Sequence, residues 1–207
     1  MAPSSAGVTD GRRISAWASS TGSMRGDGAT PMGHALRAFR IREKTEAVLP
    51  KIDIETAPER NGTAYPPPYD QPCRARRRRR LGNAAGLSQF GVNLLTLEPG
   101  TWSSQRHWHS AEDEFVWVVS GEVVLIDNDG ETVLRAGDCA GFRKGDPNGH
   151  HIVNRSTQVA TLLEVGGRNP DQDAVDYPDI DLMIPGNGDT AYHHKDGRPY
   201  DAAGRVK

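Results

Sequence analysis

Between Leu81 and Val165 no stretch of the chain keeps a helical period. Short runs rich in β-branched and aromatic residues follow one another instead: "FGVNLLTLEPG", "FVWVVSGEVVLIDNDGETVLRAGD", "HHIVN" and "QVATLLEVG". They are cut by Pro-Gly, Ser-Gly, Asn-Asp-Gly and Ala-Gly-Asp, residues that punctuate strands. "DNDGE" (Asp127 to Glu131), set between two alternating runs, predicts a hairpin turn. Short strands at close spacing, with no helix between them, indicate an all-β antiparallel sandwich or barrel.

The remaining composition agrees. Apolar residues make up 36% of the 207, with 23 glycines and 14 prolines, a balance suited to a loop-rich β-protein with loose ends. A formal charge of −2 does not suit a protein that coats nucleic acid or an anionic membrane. No apolar run approaches the roughly 20 residues of a membrane span, and residues 1–30 contain no apolar core of a secretory signal. Only Cys73 and Cys139 occur, so a disulfide framework is not expected and the cytoplasm is the expected compartment.

Residues 105–122 read "QRHWHSAEDEFVWVVSGE". Side chains on a strand alternate faces, so His107 and His109 share a face and Trp108 takes the other. "SAED" suffices for a tight connection, after which Glu114, Val116 and Val118 share a face. A hairpin of this kind sets the Glu114 carboxylate beside two imidazoles. Two nitrogens and one oxygen on rigid strands form a shell for a divalent transition metal. A second segment, "AGDCAGFRKGDPNGHHIVN" (Ala136 to Asn154), ends in His150 and His151, one of which would complete three histidines and a glutamate.

Together the two segments resemble the cupin family. The first motif of that family matches Gly100, six residues, His107, Trp108, His109, four residues, Glu114, six residues, Gly121; the spacer after Gly100 is one residue longer than usual. The second matches Gly137, five residues, Arg143-Lys144-Gly145, four residues, His150, three residues, Asn154. Arg143 stands where the family has proline, and two extra residues precede the histidine. Counting back from Asn154 selects His150, with His151 as the alternative. The resemblance implies a double-stranded β-helix, a jelly-roll barrel, with one metal ion (Fe, Mn, Ni, Co or Zn) on its inner face, held by His107, His109, Glu114 and His150. It also extends to small bacterial cupin proteins whose chains begin near the position of Leu49.

Four such ligands close a tetrahedral zinc shell but leave two positions open on an octahedral ion. Open neighbouring positions suit a chelating metabolite: a sugar, a sugar phosphate, or a hydroxy or keto acid. Isomerase, epimerase or lyase chemistry is expected; with Fe(II) a dioxygenase is the alternative, and a sensor barrel that binds without turnover is the competing class. Candidate acids, bases and substrate-holding groups are Glu112, Asp113, His151 and Arg143, with Arg106 as a second anion clamp. Cys139 is expected in the core, and His193 and His194 in an exposed loop.

The expected layout is an extension over 1–47, an extended Pro/Arg-rich arm over 48–80, the barrel over 81–168, and a polar tail over 169–207 with one edge strand at "DIDLMIP". The six arginines within Arg74–Arg80 lack interleaved aromatics, which disfavours a nucleic-acid contact. Pairing with acidic patches, including those of a second subunit, is the expectation, and with it a homodimer formed through barrel edges and the arm.

Overall fold

The computed structural model describes residues 51–201, so the expected extension over 1–47 lies outside the described residues. Twelve strands, numbered in chain order, account for nearly all regular structure there. Six form one antiparallel sheet in the order β1 (Glu59–Asn61), β2 (Arg77–Arg80), β3 (Phe90–Leu97), β10 (Ala160–Gly167), β5 (Glu114–Ser120) and β8 (Cys139–Phe142). A second sheet carries β7 (Gly130–Arg135), β6 (Glu122–Asp127) and β9 (His151–Val153). A third joins β12 (Leu182–Ile184), β11 (Val175–Tyr177) and β4 (Trp108–His109). The expected double-stranded β-helix is the observed architecture. The one α-helix among the described residues, α1 (Leu81–Ala84), is a single turn, and no helix there is long and apolar enough to cross a membrane.

Period-2 alternation builds the core. Leu95 and Leu97 of β3, Leu162 of β10 and Val118 of β5 all face inward with no exposed surface, and Val123 and Ile152 meet them from the second sheet. The predicted hairpin is present: β6 and β7 pair from Glu122↔Arg135 to Asp127↔Gly130, with Asn128 and Asp129 at the turn. Gly121 carries the chain from β5 in the large sheet to β6 in the second. Its φ of +83° and the 2.8 Å that would separate a Cβ from Ala160 Cα both require glycine there.

Three expectations are corrected. The arginine run does pair with acidic side chains, but as a strand inside the large sheet rather than an extended arm, and with partners from its own chain: Arg77 with Glu98 (3.0 Å), Arg78 with Glu164 (2.7 Å), Arg79 with Glu55 and Glu59 (2.8 and 2.9 Å). The prolines before it do not run extended; the chain turns through Tyr69 N to Pro66 O (2.9 Å) into a 3-10 turn over Gln71–Cys73. Cys139 is exposed, because its register opposite Trp117, itself 47% exposed, puts both on the outer face of the sheet.

Residues 169–201 do more than supply an edge strand. Val175, Tyr177 and Leu182 form a second apolar cluster with Tyr65 and Cys73, from a segment a hundred residues earlier in the chain. His193 and His194 are buried, contrary to the expected exposed loop. His193 exchanges backbone hydrogen bonds with Met183, and His194 donates to Asp181 (Nδ1 to Oδ2, 2.6 Å) while its ring stacks on Tyr200. Leu182 is fully buried in this cluster, so Leu182→Ala should cost about 2–5 kcal/mol of unfolding free energy. Urea denaturation of the full chain reads this directly. A loss below about 1 kcal/mol would mean that the tail is not part of the cooperative core.

Candidate metal centre

The two histidines of the His-x-His pair and Glu114 do converge, but not through the expected hairpin. β4 pairs with β11, not with β5, through Val175↔His109 and Asp176↔Trp108. Glu114 opens β5 in the large sheet, opposite Phe142 and Gly166. His107 is tied instead to His150 by a pair of backbone hydrogen bonds of 3.1 and 2.8 Å. Imidazoles from one wall of the barrel thus meet a carboxylate from the other.

The meeting point is one atom. Glu114 Oε2 lies 3.1 Å from His150 Nε2 and 3.6 Å from both His107 Nε2 and His109 Nε2. The Glu114 side chain is 29% exposed overall, yet this oxygen is buried and has no hydrogen-bond partner, the His150 contact being short but misdirected. A buried acceptor left unpaired costs about 1–3 kcal/mol, more when charged, and in native structures marks a strained or ion-binding position. His107, His109 and Glu114 bring one ligand atom each within 4.8 Å of one another.

Contacts behind or beside each ring set its aim. His107 Nδ1 faces the Gln105 carbonyl at 2.9 Å, and its ring stacks on Tyr177. His109 Nδ1 donates to Asp173 Oδ2 at 2.6 Å, and Asp173 is itself held by the Ala111 N–H at 2.8 Å. His150 stacks flat on Phe142, and its buried Nδ1 has no hydrogen-bond partner. In His107 and His109 the ring nitrogen engaged behind leaves Nε2 in front as a donor atom for a metal. Asp173 was not among the sequence-derived candidates. It lies in the polar segment, and only the β4–β11 pairing brings it under His109.

The charge states of His107 and Glu114 suit a cation site. Burial presses the His107 imidazole down to about 3, outweighing the attraction of Glu114. Burial works to raise the Glu114 carboxyl, but contact with His150 and the neighbouring imidazoles carry it well below the usual carboxylate range. His109 moves the other way: burial lowers it, and the Asp173 and Glu114 carboxylates more than offset this. The arrangement is an ionised carboxylate beside a neutral imidazole, the protonation states that ligation needs.

The other sequence candidates separate. Glu112 accepts the Asn169 N–H, has an oxygen within 4.8 Å of a His109 nitrogen, and is raised chiefly by burial. Asp113 is exposed and accepts the Lys144 N–H at 2.9 Å, and His151 turns its Nδ1 to the Ser104 carbonyl at 3.2 Å with its ring edge-on to Trp102. Neither lines a cavity at the cluster. Arg106 is held by Asp179 through two 2.7 Å contacts. Two cavities flank the cluster, of about 460 and 330 Å³, and Glu112, Glu114 and His150 border both. Arg143, largely exposed, lines the smaller one.

A family model described as "Cupin domain" matches residues 93–166. Among solved structures, a sugar phosphate isomerase from a cupin superfamily, from Silicibacter pomeroyi, is similar at 47% identity. The match covers 72% of this chain and 96% of that one, with a TM-score of 0.68. A candidate sugar phosphate isomerase from Acidithiobacillus ferrooxidans is similar at 34% identity over 57% of this chain and 74% of that one, with a TM-score of 0.53.

The His107 shift fixes the sign of an acid effect. Above about 6.5 neither the folded nor the unfolded chain protonates this ring; between 6.5 and about 3 the unfolded chain takes a proton that the folded chain refuses. Chelator-treated protein should therefore lose stability as pH falls through that window, and His107→Gln should make the loss shallower. Chemical denaturation at stepped pH measures it; an unchanged slope in the variant would rule out a depressed His107.

Proposed function

The chain belongs to the cupin superfamily, and from that premise we propose that it is a metal-dependent isomerase of sugar phosphates. The observation that carries the reading is the buried, unpartnered Glu114 Oε2 with three imidazole nitrogens turned toward it at the edge of a 460 Å³ cavity. The 47% identity to a sugar phosphate isomerase supports the choice of chemistry.

In this reading His107, His109, Glu114 and His150 hold one divalent transition ion, His150 being favoured over His151 by its contact with Glu114. Three imidazoles and a carboxylate are a donor set that would suit Fe, Mn, Co or Ni. When bound, the ion supplies Lewis acidity to the substrate's carbonyl and neighbouring hydroxyl. Glu112 carries the proton. Its carboxylate sits beside His109 and borders both cavities, and burial raises its affinity for a proton toward the range useful to a general base. It removes a proton from one carbon and returns it to the adjacent one, while the hydroxyl proton passes to the former carbonyl oxygen, so an aldose phosphate and a ketose phosphate interconvert with no net change in redox state. Asp173 is a positioning residue that fixes His109.

Elemental analysis of the purified full chain should find about one transition-metal equivalent. Incubation with sugar phosphates in D2O should incorporate deuterium at the carbon next to the carbonyl. Glu112→Gln should slow that exchange by about 100-fold or more while keeping the metal. No metal after reconstitution, or exchange indifferent to Glu112, would overturn the reading. Asp173→Asn should weaken Co(II) binding about 10–100-fold in a titration of metal-stripped protein; equal affinity would mean that His109 needs no orienting carboxylate.

A further inference from the structure

The inner face of the large sheet changes character along its length. Its lower rows are apolar: Leu97 opposite Ala160, and Leu95 opposite Leu162. One row up, Arg80, Asn93, Glu164 and Val116 stand opposite one another in register across β2, β3, β10 and β5. The next row is Gly91, Gly166 and Glu114.

Three arginines share this face at the β1–β2 edge. Arg78 lies opposite the fully buried Leu95, Arg80 two residues on has the same orientation, and Arg60 is the direct cross-strand partner of Arg78. All three line the 460 Å³ cavity that Glu114 borders. Like charges directly opposite on neighbouring strands are destabilising, and only one carboxylate answers them: Glu164, which takes Arg78 through two contacts of 2.7 and 2.8 Å. Among the described residues the guanidinium groups of Arg60 and Arg80 have no hydrogen bond or ion pair. On the other face of the same strand Arg77 and Arg79 are both matched with glutamates. The excess of positive charge is therefore confined to the cavity side.

We propose that Arg60, Arg78 and Arg80 form a phosphoryl-binding subsite that holds the substrate's phosphate while its sugar end reaches the His/Glu cluster. This deepens, and rests on, the reading of the protein as a sugar phosphate isomerase. β2 and β5 are three interstrand steps apart, roughly 14 Å between backbones, and the arginine and glutamate side chains shorten the gap from both ends. Gly91 and Gly166, in register and without side chains, leave room on the floor between them for the Arg168 guanidinium, 3.5 Å from where a Cβ on Gly91 would stand, and for the Glu114 side chain, 3.6 Å from one on Gly166. An elongated ligand with an anionic end and a chelating end fits that distance. A tetrahedral dianion can accept from several guanidinium groups at once, whereas a planar carboxylate saturates one fork.

Calorimetric titration with inorganic phosphate tests the subsite without knowledge of the sugar. Metal-stripped full-length protein should bind phosphate more tightly than acetate. Arg80→Gln should weaken phosphate binding about tenfold or more, as expected for loss of one charge-assisted contact. Arg60→Gln, at an exposed position that does not endanger folding, should weaken it severalfold; Arg80→Lys should retain part of it, and Arg77→Gln should match the parent. Absence of phosphate binding, its loss on removing the metal, equal affinity for acetate, or indifference to both Arg80→Gln and Arg60→Gln would overturn the subsite. Metal content, measured on the same samples before stripping, separates the two readings: bound metal without phosphate binding refutes the subsite alone, and phosphate binding in a chain that never takes metal refutes the isomerase alone.

Discussion

A carboxylate oxygen with no hydrogen-bond donor, enclosed by three imidazoles, is the constraint around which this barrel is arranged. Removing a charged oxygen from water costs several kcal/mol unless something replaces the lost solvent. Here the replacement is distributed. Phe142 sets the plane of the His150 ring, Tyr177 and the Gln105 carbonyl set His107, and Asp173 sets His109. Phe142 lies on β8, Tyr177 on β11 with Asp173 just before it, and Gln105 just before His107, so rigidity of the whole double sheet is what brings the three imidazoles and the carboxylate together.

The same division of labour extends along the large sheet. Apolar rows fill the closed part of the barrel and hold its two walls together, which leaves the remaining rows available for charge. Glu164 stands at the boundary, neutralising Arg78 from two strands over and so permitting a guanidinium to sit directly above Leu95. Outward, Phe115, Trp117 and Val119 of β5 are exposed, so the strand that presents Glu114 to the interior carries an apolar stripe on its back.

Much of this could be read from the residues. Alternation in β3, β5 and β10 and the Asn-Asp-Gly turn revealed the barrel core, because a strand with one buried face writes its period into local sequence. His107, His109, Glu114 and His150 stood out because the barrel spaces them regularly. The hairpin expected between His109 and Glu114 failed for a reason that spacing does not encode: β4 takes its partner from residues 175–177. Asp173 escaped notice, and His193 and His194 were placed in an exposed loop, for a related reason. Their surroundings are polar in sequence, whereas Asp173 takes its partners His109 and Ala111 from 64 and 62 residues away, and His193 and His194 are paired with Met183 and Asp181 by the folding of the tail. The arginine run reads as a uniform block of charge, yet period 2 splits it into two matched outer residues and two inner ones, a distinction visible only once the strand is known.

The pairing of β4 with β11 also sets an order of events during synthesis. His107 and Glu114 leave the ribosome well before the chain reaches His150, and His109 has neither its strand partner nor its orienting carboxylate until residues 173–177 follow. Growing chains fold as units while translation proceeds, but here the ligand cluster is assembled only when about five-sixths of the 207 residues exist. Until then the side chains of the His/Glu cluster are not held together, and its geometry belongs to the nearly complete barrel alone.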